Sequence, residues 1–108
     1  MLAEEIIQLI KNKGYGAMQS SLRTALVHLL RNYGYRNRDI ANALGVRHNN
    51  INYYHEKAND FIFSKDKTFQ VALNELQQHS VVLVPFFTEK IGNNRTIRIK
   101  VTIDNIKL

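Results

Sequence analysis

The sequence contains no cysteine, which excludes a disulfide framework, a thiolate metal site and a cysteine nucleophile. It also lacks any apolar run near the roughly 20 residues that a membrane-spanning helix needs. Its start, Met-Leu-Ala-Glu-Glu-Ile-Ile, is acidic where a secretory signal peptide would be cationic. These absences predict a cytoplasmic protein that has no membrane partner.

Patterns typical of catalysis or of metal binding are also missing. No two histidines are four residues apart, the spacing that places two ligands on one turn of a helix. The serines lie in no nucleophile motif, and no glycine-rich loop precedes a lysine and a hydroxyl residue. The sequence therefore predicts a protein that is not an enzyme and that uses no metal, cofactor or small-molecule substrate.

Charge of one sign is in excess. Fifteen Lys and Arg against nine Asp and Glu give a formal charge of +6 and a pI of about 9.8. Such a balance suits a polyanionic partner, although composition alone is weak evidence for one. The 108 residues, of which 44% are hydrophobic, are enough for one compact domain with a small appendage.

Five helices are predicted from apolar residues that recur with a period near 3.6. The first covers about residues 2–13, and the second ends at Gly34, a residue suited to a left-handed helix cap. The third is very short, with Asn37 as its N-cap and Gly45 at its end. A fourth is expected over about residues 47–61. The candidate N-caps of a fifth are Ser64 and Asp66.

The period changes after residue 80. Residues 81–84 are continuously apolar and residues 96–103 alternate, which predicts an antiparallel hairpin. The predicted fold is mainly α, a helix-turn-helix bundle over residues 1–80 with a C-terminal β-hairpin over residues 81–108, and thus α+β overall. The hairpin either packs on the helices or forms a homodimer. If the strand register allows it, the apolar side of the hairpin includes Val82, Val84, Phe86, Ile97, Ile99 and Val101.

The segment over residues 37–56 has the spacing of a helix-turn-helix motif. Ala41 supplies a small residue where two crossing helices approach, and Gly45 supplies a turn residue that tolerates positive φ. The side chains predicted to point inward are Ile40, Leu44, Val46, Ile51 and Tyr54.

The outward side of the second helix of this motif carries hydrogen-bonding side chains of major-groove reach. Arginine pairs with guanine and asparagine with adenine, and asparagines are poor helix formers whose presence base contact would explain. The predicted base-contacting residues are Arg47, His48, Asn49, Asn50, Asn52 and Tyr53. The predicted phosphate-contacting residues are Arg23, Arg36, Arg38 and Lys57.

Residues 23–76, about half the chain, resemble the DNA-binding domain of the bacterial replication initiator DnaA, within the Trp-repressor-like helix-turn-helix group. The similarity lies in Arg-Asp-Ile-Ala-Asn-Ala-Leu-Gly over residues 38–45, in Arg47 and His48 after it, and in Ile51. The resemblance implies a DNA surface formed by Arg47, His48, Asn49 and Asn50, with Arg23 or its neighbours near the DNA backbone.

The sequence thus predicts a double-stranded DNA-binding protein, a regulator of transcription or replication. An alternative stays open, in which the helix-turn-helix scaffold serves as an adaptor that binds a protein through the hairpin and through Tyr53, Tyr54 or Phe87. Steep loss of DNA binding with rising salt would distinguish the first function from the second.

Overall fold

The computed structural model describes residues 1–12, 16–87, 97–104 and 106–107. Within them the chain is mainly helical and ends in a small antiparallel sheet of strand order β1-β2-β3, which confirms the predicted mainly α, α+β fold. The helices are α1 (Ala3–Lys11), α2 (Ala17–Asn32), α3 (Asn37–Leu44), α4 (His48–Ser64) and α5 (Lys67–Gln77). The strands are β1 (Val81–Phe87), β2 (Ile97–Ile103) and β3 (Ile106–Lys107).

Positive-φ residues end the helices largely where the sequence predicts. Gly34 has φ 93° just after α2, and Gly45 has φ 67° as the C-cap of α3. Lys65 closes α4 in the same left-handed region, with φ 58°, so α4 runs beyond the predicted residue 61. The first helix ends earlier than predicted, at Lys11.

The N-cap of α3 differs from the predicted one, and the N-cap of α5 is one of the two predicted candidates. Asn37 is the first residue of α3 rather than its N-cap, because Arg36 holds the extended conformation before the helix. The Asn37 side chain bonds other side chains instead. Ser64 is the last residue of α4, and Asp66 caps α5 by accepting a 2.8 Å hydrogen bond from the Phe69 N–H.

Helix α2 lies at the centre of the fold, because it packs against each of the other helices and against β1. Its residues Leu22, Leu26 and Leu30 are fully buried, spaced one helical turn apart along a single stripe. Ile51 of α4 and Phe69 of α5 are also fully buried, in the same hydrophobic core as these leucines. In the described part of the chain, no helix combines the length and apolar character needed to cross a membrane.

The sheet belongs to the same core as the helices. Val81 pairs with Ile103 and Leu83 with Val101, and all of these side chains are buried in one cluster with the helices. Although α5 separates the sheet from α4 along the chain, β2 packs against α3. The sheet therefore lies beside the helix-turn-helix motif.

The strand register does not allow the predicted apolar side of the hairpin, because it places the predicted residues on both sides of the sheet. Val82 and Val84 pair with Thr102 and Lys100, so they lie on the opposite side of the sheet from Ile99 and Val101. Both valines are exposed, at 41% and 38%. The side chains of Phe86 and Ile97 lie outside the described residues, and the homodimer through the hairpin stays a prediction.

Candidate nucleic-acid interface

Helices α3 and α4 are joined by a tight corner. The N–H groups of Gly45 and Val46 both donate to the carbonyl oxygen of Ala41, which closes α3. The chain is extended at Arg47 and enters α4 at His48. The carbonyl oxygen of Arg47 then accepts from the Asn50 N–H at 3.0 Å, which forms the first turn of α4.

The inward side of this motif is as predicted. Ile40, Ala41 and Ile51 are buried, and Leu44, Val46 and Tyr54 pack partly buried against the same core. Ile51 is fully buried although both its neighbours in sequence are exposed. It therefore anchors the start of α4 to the core and fixes which residues of α4 point outward.

The residues predicted to contact bases are all exposed, and they lie at the N-terminal half of α4 or at its cap. Arg47 is the N-cap, and among the described residues no side chain caps the helix, so N–H groups of its first turn are open to an external acceptor. The exposed residues are Arg47, His48, Asn49, Asn50, Asn52 and Tyr53. The structure thus leaves all six side chains exposed around the start of α4.

Asn52 and Tyr53 also make hydrogen bonds within the protein. Asn37 donates from Nδ2 to Oδ1 of Asn52 at 2.8 Å, and Arg31 donates to Oδ1 of Asn37. Lys57 donates from Nζ to the Tyr53 hydroxyl at 3.2 Å. Its ammonium also lies 5.5 Å from the centre of the Tyr53 ring, a cation–π contact.

Two basic clefts flank the start of α4. On one side, Lys11, Arg23 and Arg47 lie around a cleft of about 630 Å³, whose apolar lining includes Val46 and Tyr54. Arg23 donates from Nη1 to a backbone carbonyl oxygen beyond the end of α1 at 3.0 Å, which holds its guanidinium in place. Positive charge on this side comes from three different elements of the fold.

The second cleft, of about 490 Å³, lies between α3, the start of α4 and Ile99 of β2. Arg36, Arg38 and His48 line it, and Arg36 forms a 3.7 Å ion pair with Asp39. Lys57 lines neither cleft and is partly buried along α4. Of the predicted phosphate-contacting residues, Arg23 therefore lies at one cleft, Arg36 and Arg38 lie at the other, and Lys57 lies at neither.

Two histidines from different helices lie near each other, His28 of α2 and His55 of α4. Burial lowers the pKa of His28, and charge on the nearby His55 lowers it further. Nδ1 of each ring is buried with no hydrogen-bond partner among the described residues. Across the residues that the structure describes, no three His, Asp or Glu side chains come close enough together to hold a metal ion.

Sequence reasoning missed the roles of Arg31 and Asn37. From the sequence, Arg31 was grouped with the arginines that flank the motif as candidates for phosphate contact, and Asn37 was interpreted as a helix cap. An asparagine is favoured at an N-cap, so its local sequence could not reveal a bond to a side chain fifteen residues away. No sequence signal identifies this contact.

No protein-family model matches the chain, and neither the curated proteins nor the solved structures include a match. The resemblance to the DnaA domain therefore stays a prediction. What the chain binds has to be inferred from the geometry and the charges of α3, α4 and the clefts beside them.

Proposed function

We propose that the chain binds double-stranded DNA by placing the N-terminal half of α4 in the major groove. One observation carries this proposal. Ile51 is fully buried while Arg47, Asn49 and Asn50 are exposed, so the motif directs a guanidinium and amides away from the protein at the start of a helix. An α-helix fits the major groove, where those groups match base edges.

Each of these exposed side chains has hydrogen-bonding groups that match the major-groove edge of a particular base. Arg47 suits guanine, whose O6 and N7 accept two hydrogen bonds from a guanidinium. Asn49 and Asn50 suit adenine, whose N6 donates and whose N7 accepts. We propose that these three residues supply most of the sequence preference.

The basic clefts supply affinity in this proposal. A DNA phosphate beside Arg23 and Lys11 on one side of α4, and another beside Arg36 and Arg38 on the other, would hold the helix in its groove. The uncapped N-terminus of α4 adds a favourable dipole for phosphate. Regulation of transcription or replication is the proposed setting, on the strength of the DnaA resemblance.

The first test is the salt dependence of binding to a random-sequence duplex, measured by fluorescence anisotropy. If the four predicted phosphate-contacting residues each neutralise one phosphate, log K should fall with log salt at a slope of about −3 to −4. Binding that is absent at low salt, or that does not change with salt, would refute the proposal.

The second test compares alanine variants on a selected binding site. Arg47→Ala and Asn50→Ala should each weaken specific binding by about 1–3 kcal/mol and relax base preference. Lys67→Ala and Asn74→Ala are matched controls, since both residues are exposed on α5. Equal affinity of all four variants and the parent would remove α4 as the recognition helix.

A second candidate function is the adaptor, which one observation favours. At the C-terminal end of α4, Phe63 is 92% exposed and Ile62 is 41% exposed, an apolar pair open to solvent. Of the aromatics predicted for this function, Tyr53 is exposed and Tyr54 is half-buried, while the Phe87 side chain lies outside the described residues. Phe63→Ser would weaken an adaptor's partner binding and leave DNA affinity unchanged.

A further inference from the structure

Three polar side chains form a hydrogen-bonded chain that ends on the exposed side of α4. It starts at Arg31 of α2, passes through Asn37 at the start of α3, and ends at Asn52. Arg31 and Asn37 are partly buried, whereas Asn52 is exposed. The chain therefore links the interior of the motif to a predicted base-contacting residue.

The direction of every bond in this chain follows from its first member. A guanidinium only donates hydrogen bonds, so the atom of Asn37 beside Arg31 must be the oxygen. The amide nitrogen of Asn37 is then turned to Asn52 and donates to it at 2.8 Å. The atom of Asn52 that receives this bond must be its oxygen, and the amide nitrogen is left on the outer side.

We infer that Asn52 presents a hydrogen-bond donor to the DNA and so selects a base with an acceptor, with Arg31 and Asn37 as the positioning residues that impose this choice. This inference rests on the proposed DNA binding. In the major groove guanine and thymine offer only acceptors, cytosine offers only a donor, and adenine offers both. The base opposite Asn52 should therefore be guanine, thymine or adenine, each of which offers an acceptor, rather than cytosine.

Asn52 differs in this respect from its neighbours. Among the described residues, no side-chain hydrogen bond fixes the amides of Asn49 and Asn50. Those amides can rotate and offer either atom, as pairing with adenine requires. The polarity imposed by Arg31 is specific to Asn52.

The chain can be reversed without changing Asn52. In an Asn37→Asp variant, the carboxylate accepts from Arg31 and offers a second acceptor to α4. Asn52 must then turn its nitrogen inward to donate, which leaves its oxygen outward. An aspartate also suits the first turn of α3, where negative charge is favourable, so the variant is expected to fold.

The experiment selects binding sites from random duplexes for the parent, for Asn37→Asp and for Asn42→Asp. Asn42 is exposed on the same helix and outside the hydrogen-bonded chain, so it controls for the added negative charge. In parallel, NMR measures exchange of the Asn52 side-chain N–H protons in each free protein, an observable that does not depend on DNA.

At one position of the selected site, the parent should prefer guanine or thymine over cytosine by about tenfold. Asn37→Asp should reverse that preference and slow exchange of one Asn52 N–H proton, while Asn42→Asp should do neither. An unchanged base preference in Asn37→Asp overturns the inference and leaves the DNA-binding proposal standing. Failure of the parent to bind any duplex overturns both.

Discussion

Replacing Gly45 by alanine tests the corner on which the whole interface depends. Gly45 has φ 67°, and a Cβ added there would meet no atom of the described residues within 4 Å. The variant therefore gains no steric clash with its surroundings, and its cost is that of the left-handed backbone alone. That cost is about 1–2 kcal/mol for a residue with a Cβ.

Part of the cost is offset in the unfolded chain. Alanine has less conformational freedom than glycine when unfolded, which favours folding by about 0.4–1 kcal/mol. The net loss should be about 1 kcal/mol in the free energy of unfolding, or about 4–8 °C in Tm. Urea denaturation followed by far-UV circular dichroism measures it.

Two further variants separate backbone strain from other effects. Gly45→Asn should cost less than Gly45→Ala, because asparagine tolerates the left-handed region. Gly34 lies outside the corner between α3 and α4, but its φ is 93° and the space around it is equally open among the described residues. Gly34→Ala should therefore cost about as much as Gly45→Ala. A Gly45→Ala variant as stable as the parent would refute the reasoning, as would an asparagine variant that is no better than alanine.

Ile51→Ala should lower the free energy of unfolding by about 2–5 kcal/mol, because Ile51 is fully buried. Ile62→Ala should lower it much less, because Ile62 is 41% exposed. Equal losses in urea denaturation would contradict this packing. Asp66→Ala should lower the free energy of unfolding by about 1 kcal/mol by removing the cap of α5; a variant as stable as the parent in urea denaturation would show that this hydrogen bond does not stabilise the fold. The hydrogen bond to Asp104 raises the pKa of His79, so their contact stabilises the fold below about pH 6.5 and weakens as the pH rises through the raised pKa. In Asp104→Asn, NMR titration should find the His79 pKa lowered, and the stability difference from the parent should shrink with rising pH; a difference that grows would show the opposite sign.

The same contact is also lost at low pH, because Asp104 then becomes protonated. The Ser80 N–H lowers the pKa of Asp104, and the bond to His79 lowers it further. A carboxylate with a lowered pKa stabilises the folded state above its unfolded pKa of about 3.8 and loses that contribution as the pH falls through the folded value. The His79–Asp104 pair should therefore contribute most between these two titrations.

Much of the candidate interface could be predicted because it is local. The corner at Gly45 and the stripe that buries Ile51 depend on the conformational preference of one residue and on helical periodicity. The exposed position of Asn49 then follows, since it precedes Ile51 by two residues and lies on nearly the opposite side of the same helix. These features need no knowledge of distant parts of the chain.

The errors came from pairings between distant residues. The hairpin's apolar side was misjudged because Val82 and Val84 are as apolar as Leu83, and only the register shows which side packs on the helices. Asn37 was taken for a cap because its bond to Asn52 joins two helices across the corner. Such contacts depend on how elements pack rather than on the residues next to them.

By itself, then, the sequence determined the helices, the corner between α3 and α4 and the outward position of Arg47 and the asparagines, since backbone preference and periodicity act over a few residues. Only the tertiary structure decided that the sheet shares the helices' core, that basic side chains gather on two sides of α4, and that Arg31 orients Asn52 through Asn37. The reason is physical: burial and hydrogen-bond direction depend on which surfaces meet, and that is settled by the packing of the whole chain.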